Sequence, residues 1–161
     1  MRKNHPIAIL LALASTPVLA LEPACEAILK ASEARMQQPA WHSITELVGG
    51  MKMEAIKSGG KFYRKVGEGW MNFPVDIDAA ERDLIAQIRS GEIKLTQCKK
   101  TGSDVVDGVD VTIVSSHTEM QGLPPASGQL SIGEDDGLPY RQTAKGMTVI
   151  YKYEGVTAPK L

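Results

Sequence analysis

Glycines divide the stretch from Ser43 to Phe73 into short segments. They stand as pairs at 49–50 and 59–60 and again at 67 and 69, and the residues between them alternate in polarity. Alternation with a period of two, interrupted by glycine-rich turns, predicts antiparallel strands joined by hairpins, with one face covered and one face wet. The predicted strands of this part are 43–48, 51–57, 61–66 and 70–73.

Two segments repeat their apolar residues at helical spacing. The first is 23–38, which begins with a proline and is stopped by Pro39, because proline suits the first helical turn and breaks the interior. The second is 78–90, where Asp78 and Glu81 resemble a capping box. Each helix has one apolar stripe and is therefore expected to cover one face of a sheet. The stripe of the second helix consists of Ala80, Leu84, Ile85 and Ile88.

The remaining segments are again short and rich in β-branched or alternating residues, which favour strands. The predicted strands of this part are 94–99, 109–116, 129–132, 140–144 and 147–153. Strands in series with two interspersed helices predict a single α+β domain over 21–161. We expect a curved antiparallel sheet, an incomplete barrel, with the helices on its concave side.

The first twenty residues have the layout of a secretory signal. Arg2 and Lys3 precede the apolar run 7–14, and a cleavage pattern ends at Ala20. The alternative is a membrane anchor, but a helix needs about 20 apolar residues to span a bilayer. We therefore expect a cleaved signal peptide at 1–20, a periplasmic location, and no transmembrane segment in the mature chain.

The chain has two cysteines, Cys25 and Cys98. In an oxidising compartment such a pair most simply forms a disulfide, and closing a loop of this size stabilises a fold by roughly 3–4.5 kcal/mol on the chain-entropy model. A redox pair or a metal site are the alternatives, but there is no C-x-x-C motif and no histidine near either cysteine in the sequence. We expect the disulfide to join the first helix to the structure that it covers.

Residues suited to catalysis are few. The mature chain contains His42 and His117, no G-x-S-x-G motif, and no thiol expected to be free. The acidic run 134–136 lacks the spaced ligands of a calcium loop and is predicted to be a hairpin turn. A net charge of −1 argues against nucleic acid as a partner. We expect no enzyme activity, catalytic residue, metal or cofactor, and keep a hydrolase as the third hypothesis.

The layout resembles the periplasmic lipoprotein-carrier superfamily, the half-barrel fold of the carrier LolA and its relatives. The matching elements are the helix after the signal, the strands with glycine turns, and the mid-chain helix. The most telling stretch is 130–141, LSIGEDDGLPYR, a strand followed by an acidic turn, Gly-Leu-Pro and a second strand. The strand at 151–153, followed by Pro159, also fits. The resemblance implies a concave apolar cavity between sheet and helices for an acyl chain or another lipophilic ligand, and no catalytic residues.

Several methionines lie in or near the predicted strands. They either line a pocket that adapts to varied apolar tails or fill an irregular core. Our first hypothesis is an exported binding or carrier protein for a lipid or other lipophilic small molecule. The alternative is an envelope protein-interaction module, such as an inhibitor, chaperone or assembly factor, that binds a protein partner through the loop 122–127 or a strand edge. The residues expected to line the ligand cavity are Met51, Met53, Phe62, Leu84, Ile88, Ile113, Ile132, Val149 and Tyr151.

Overall fold

The computed structural model of the protein describes residues 20–161. This part of the chain forms two helices and nine strands. The helices are α1 (Pro23–Gln37) and α2 (Ile77–Ser90). The strands are β1 (Ala40–Leu47), β2 (Lys52–Ser58), β3 (Lys61–Val66), β4 (Gly69–Phe73), β5 (Lys94–Val106), β6 (Val109–Glu119), β7 (Ala126–Gly133), β8 (Pro139–Ala144) and β9 (Met147–Lys152). The predicted signal peptide 1–20 lies outside the described residues, apart from Ala20.

The nine strands form one sheet in the order β4-β3-β2-β1-β9-β8-β7-β6-β5. Every neighbouring pair is antiparallel, and the pairing of β1 with β9 joins the first four strands to the last five. In that pairing Ser43 lies opposite Tyr151. The sheet is curved and does not close, because β4 and β5 remain as its two edges. The predicted α+β fold with a curved antiparallel sheet is confirmed.

Both helices lie on the concave side of the sheet, as their single apolar stripes predict. α1 begins at Pro23, ends at Gln37 before Pro39, and packs against β5 to β8 and against α2. The buried faces of the helices form a core with β5 and the segment before it. This core consists of Cys25, Leu29, Met36, Ile85, Ile88, Ile93, Leu95 and Cys98.

The predicted disulfide is present. Cys25 of α1 is bonded to Cys98 of β5, with 5.1 Å between the two Cα atoms and 73 residues of sequence separation. Both side chains are buried in the core. The bond therefore fixes the first turn of α1 to an edge strand of the sheet.

The start of α2 differs from the sequence prediction. Asp76, and not Asp78, is the N-cap residue, and its carboxylate accepts a hydrogen bond from the backbone N–H of Ala79 at 2.9 Å. Asp78 lies in the first helical turn and is buried. It forms an ion pair with Lys57 of β2, whose Nζ also donates to the Met36 carbonyl at 2.7 Å. One lysine thus ties the sheet to the beginning of α2 and the end of α1.

The acidic run 134–136 forms the hairpin turn between β7 and β8, as predicted. Asp136 Oδ1 accepts a hydrogen bond from the backbone N–H of Leu138 at 2.9 Å, and Oδ2 accepts one from the Tyr140 hydroxyl at 2.6 Å. Burial, and then the bond to Asp136, raise the pKa of Tyr140 above its usual value. The carboxylate of Asp136 is therefore engaged in holding the turn.

Candidate functional site

A cavity of about 370 Å³ lies between the two helices and the sheet strands β5 to β9. Pockets that bind small molecules in proteins measure roughly 300–1,000 Å³. An engineered apolar cavity of about 150 Å³ already holds a benzene molecule. The space under the helices is therefore large enough for part of an organic ligand.

The two sides of the cavity differ in chemistry. The helix side is mainly apolar and is formed by Ile28, Leu29, Leu84, Ile85 and Ile88. The sheet side is composed largely of small or polar residues, among them Ser116, Thr118, Gly128, Gln142 and Ala144. Small side chains on the sheet leave the space that the helices cover. The cavity thus has an apolar roof and a floor that offers hydroxyl and amide groups.

An ion pair between a buried arginine and a partly exposed glutamate adds charge to the lining. Arg35 of α1 and Glu81 of α2 both line the cavity, with 3.1 Å between Arg35 Nη2 and Glu81 Oε2. The guanidinium also lies over the rings of Trp41 and Tyr151, at 5.2 and 5.1 Å from their centroids. Burial raises the pKa of Tyr151, which also lines the cavity, so its hydroxyl stays neutral near neutral pH. Arg35 is thus held by two aromatic rings and one carboxylate.

Three of the nine residues predicted to bind the ligand line this cavity. They are Leu84 and Ile88 of α2 and Tyr151 of β9. Phe62 is buried against Trp41, with 6.1 Å between the ring centroids. Val149 is buried beside the cavity, opposite Gln142 in the pairing of β8 with β9.

Met51 and Met53 are exposed, at 62% and 45%. Met53 faces the concave side, because it lies four residues from Lys57 on the same face of β2, and the Lys57 side chain reaches both helices. Met71 of β4 faces the same side. It lies opposite Arg64 of β3, which in turn lies opposite Ala55, and Ala55 shares the β2 face of Met53. The helices leave this end of the concave face open.

The remaining two residues of the predicted set lie on β6 and β7. Val114 is paired with Leu130, which lines the cavity, so the next side chain along β6, that of Ile113, points to the convex face. Ile132 shares the face of Leu130 but does not line the cavity. A ligand-binding role for the nine residues stays a prediction. Of the nine, Leu84, Ile88 and Tyr151 are the residues that line the cavity.

Arg35 and the small residues of the floor are absent from the predicted set, because that set consists mainly of apolar side chains and the floor offers few of them. A signal was nevertheless present in α1, where Ser32 and Arg35 fall on the same stripe as Leu29. Polar residues that interrupt the buried stripe of a helix indicate a polar or open space beneath it.

The two histidines of the described chain lie outside this cavity. His42 Nε2 is 3.0 Å from Glu54 Oε2, and Lys65 donates to the other oxygen of the same carboxylate at 2.8 Å. These contacts, led by the bond from Lys65, lower the pKa of Glu54. His117 Nδ1 is 3.1 Å from Ser127 Oγ, its cross-strand neighbour. Within residues 20–161 no cluster of three or more His, Cys, Asp or Glu side chains is placed to hold a metal ion.

Among the helices of residues 20–161, none combines the length and the apolar character needed to cross a membrane.

No protein-family model and no curated protein matches this sequence. Solved structures match its fold. The lipoprotein LppX of Mycobacterium tuberculosis is 12% identical over 83% of this chain and 97% of its own, with a TM-score of 0.56. LprF of Mycobacterium bovis is 13% identical over 85% of this chain and 96% of its own, with a TM-score of 0.55.

A third structure, MucB in complex with MucA(peri), is 13% identical over 87% of this chain, with a TM-score of 0.52. This chain spans 59% of its length. Identities at this level establish the fold alone. The chain has the LolA-like half-barrel fold that its sequence resembles.

Proposed function

We propose that this protein is an exported binding or carrier protein of the cell envelope that holds a lipophilic tail between its helices and its sheet. The cavity of about 370 Å³ is the observation that carries the proposal. The signal pattern at 1–20 and the Cys25–Cys98 disulfide support export to an oxidising space such as the periplasm. The half-barrel neighbours, among them the lipoprotein LppX, fit this proposal.

The free energy for binding comes from the apolar roof. Each methylene group removed from water contributes about 0.8 kcal/mol. By comparison with a benzene in about 150 Å³, the cavity has room for about a dozen carbon atoms. Burial of such a tail against Ile28, Leu84 and Ile88 gives useful affinity without any covalent chemistry. The proposal therefore needs no catalytic residue.

Substitution of Leu84 tests whether the cavity is the binding site. Leu84 lines the cavity from α2 and is partly exposed, so Leu84→Trp can fill the space with little effect on folding. If the larger ring excludes about three methylene groups of the tail, the affinity falls about 50-fold. Titration with a fluorescent acyl-chain probe measures the change.

Leu123→Trp is the matched control. Leu123 is 60% exposed in the loop between β6 and β7 and does not line the cavity. The control should bind the probe like the wild type. Unchanged binding by Leu84→Trp would place the tail elsewhere and count against the proposal.

A second candidate function is the binding of a protein partner. It is favoured by the exposed Met53 and Met71 at the open end of the concave face, and by the neighbour MucB, which was solved in complex with MucA(peri). The double variant Met53→Asp/Met71→Asp tests this candidate. If the methionine surface binds a protein, the variant should cross-link to an envelope protein at least about tenfold less than the wild type does, because a buried carboxylate without a partner is costly. The variant should still bind the acyl-chain probe like the wild type, and equal cross-linking by variant and wild type would reject the candidate.

A further inference from the structure

Arg35 has more hydrogen-bonding capacity than its surroundings use. The residue is only 6% exposed, and it lines a cavity whose roof is apolar. Its Nη2 lies 3.1 Å from Oε2 of Glu81. A guanidinium carries five N–H donors in a planar fork that matches a carboxylate or a phosphate group. One carboxylate contact leaves donors of Arg35 for a further acceptor.

The two members of this ion pair differ in their freedom to move. The rings of Trp41 and Tyr151 lie about 5 Å from the Arg35 guanidinium and hold it inside the fold. The side chain of Arg35 is 7% exposed and that of Glu81 is 21% exposed. Glu81 stands in the early part of α2 and can turn toward water, whereas Arg35 is enclosed. A ligand can therefore take the place of Glu81 on a cation that stays where it is.

On the basis of the proposed function, we infer that Arg35 binds the anionic head of the ligand. In the complex, this head takes the place of the Glu81 carboxylate beside Arg35. The ligand class is then a single-chain amphiphile with an oxyanion head, a carboxylate or a phosphate, and an apolar tail. The tail lies under Leu84, Ile85 and Ile88, which line the same cavity as Arg35. Charge-assisted bonds from a guanidinium to such a head are strong when they are shielded from water.

Three probes that each contain a chain of ten carbon atoms isolate the contribution of the head group to binding. Decanoate, decyl phosphate and decanol are titrated by calorimetry into the wild type, Arg35→Gln and Glu81→Gln. Arg35→Gln should bind the anion that fits the site at least about tenfold more weakly, because a charged hydrogen bond is lost, and should bind decanol within about twofold of the wild type. Glu81→Gln should bind the same anion more tightly than the wild type, because a competing carboxylate is gone.

Arg89→Gln is the matched control. Arg89 stands on α2 as an exposed arginine that pairs with Glu26 and Glu33 and does not line the cavity. It should leave all three affinities unchanged. Comparison of decanoate with decyl phosphate identifies which oxyanion the site prefers.

The outcomes separate this inference from the function on which it rests. If Arg35→Gln weakens the binding of neither anion more than it weakens the binding of decanol, or if Glu81→Gln binds neither anion more tightly than the wild type does, the head-group assignment is overturned while tail binding stands. If the wild type binds none of the three probes, the proposed function itself fails. Retained binding of decanol by both variants shows that they are folded.

Discussion

Replacement of Lys57 by methionine is expected to lower the free energy of unfolding by about 3–5 kcal/mol, the cost of leaving one member of a buried ion pair alone. Lys57 Nζ lies 2.5 Å from Asp78 Oδ2 and 2.7 Å from the Met36 carbonyl oxygen. The substitution removes both contacts. Asp78 Oδ1 is already buried without a hydrogen-bond partner in the described part of the chain, so the whole carboxylate becomes uncompensated. Urea denaturation of the purified protein measures the change.

Two further variants show whether the loss comes from the ion pair. Lys52→Met alters a lysine of the same strand that pairs with Glu46 in solvent, and it should cause no measurable change. Lys57→Met/Asp78→Leu replaces the whole pair with apolar side chains and should recover most of the lost stability. A Lys57→Met variant as stable as the wild type would show that the pair does not hold the helices to β2.

Removal of the disulfide, in Cys25→Ala/Cys98→Ala, should lower the free energy of unfolding by about 4 kcal/mol. The bond closes a loop with a sequence separation of 73, and the chain-entropy model gives about this value for a loop of that length. It joins α1, which contributes Ile28 and Leu29 to the cavity, to β5, which contributes Leu95. Denaturant titration of the variant beside the oxidised wild type measures the loss.

Reductant provides the internal control for this experiment. Reduced wild-type protein should lose about as much stability as the double variant, and the double variant itself should not respond to reductant. If oxidised and reduced wild type unfold at the same denaturant concentration, the bond contributes nothing to the fold and our account of the link between α1 and β5 is wrong.

Most strands could be predicted from the sequence, whereas the full length of the edge strand β5 could not. β3 was predicted as 61–66 and is Lys61–Val66. β5 was predicted to end at 99 but continues to Val106. The residues after 99 are mostly polar and include Gly102, so they lack the apolar alternation of a covered strand. An edge strand needs only one partner, and β6 supplies it through two shifts in register.

The beginning of α2 shows a second limit of the sequence pattern. Asp76 and Asp78 are both suitable N-cap residues, and the spacing of Asp78 to Glu81 favoured the wrong one. The tertiary structure decides between them, because Lys57 pairs with Asp78 while Asp76 is left free to cap Ala79. A residue distant in sequence therefore sets a local boundary.

The candidate site was predictable on its helix side, whereas on its sheet side only Tyr151 belongs to the predicted set. Leu84 and Ile88 belong to an apolar stripe that the helical period reveals. The floor depends on where small residues of separate strands meet, as Gly128 and Ala144 do in the pairing of β7 with β8. That meeting is set by strand register and by the order of the sheet, which no local pattern contains.

Native mass spectrometry of the protein, isolated from the cell envelope without detergent, tests the central claim most directly. We predict a species heavier than the mature chain by the mass of one amphiphile, which organic solvent removes and which forms a smaller fraction of the Leu84→Trp variant. The contrary result is a spectrum of the bare chain alone, unchanged after incubation with decanoate, decyl phosphate or decanol. That result would show that the space beneath the helices holds no lipophilic ligand.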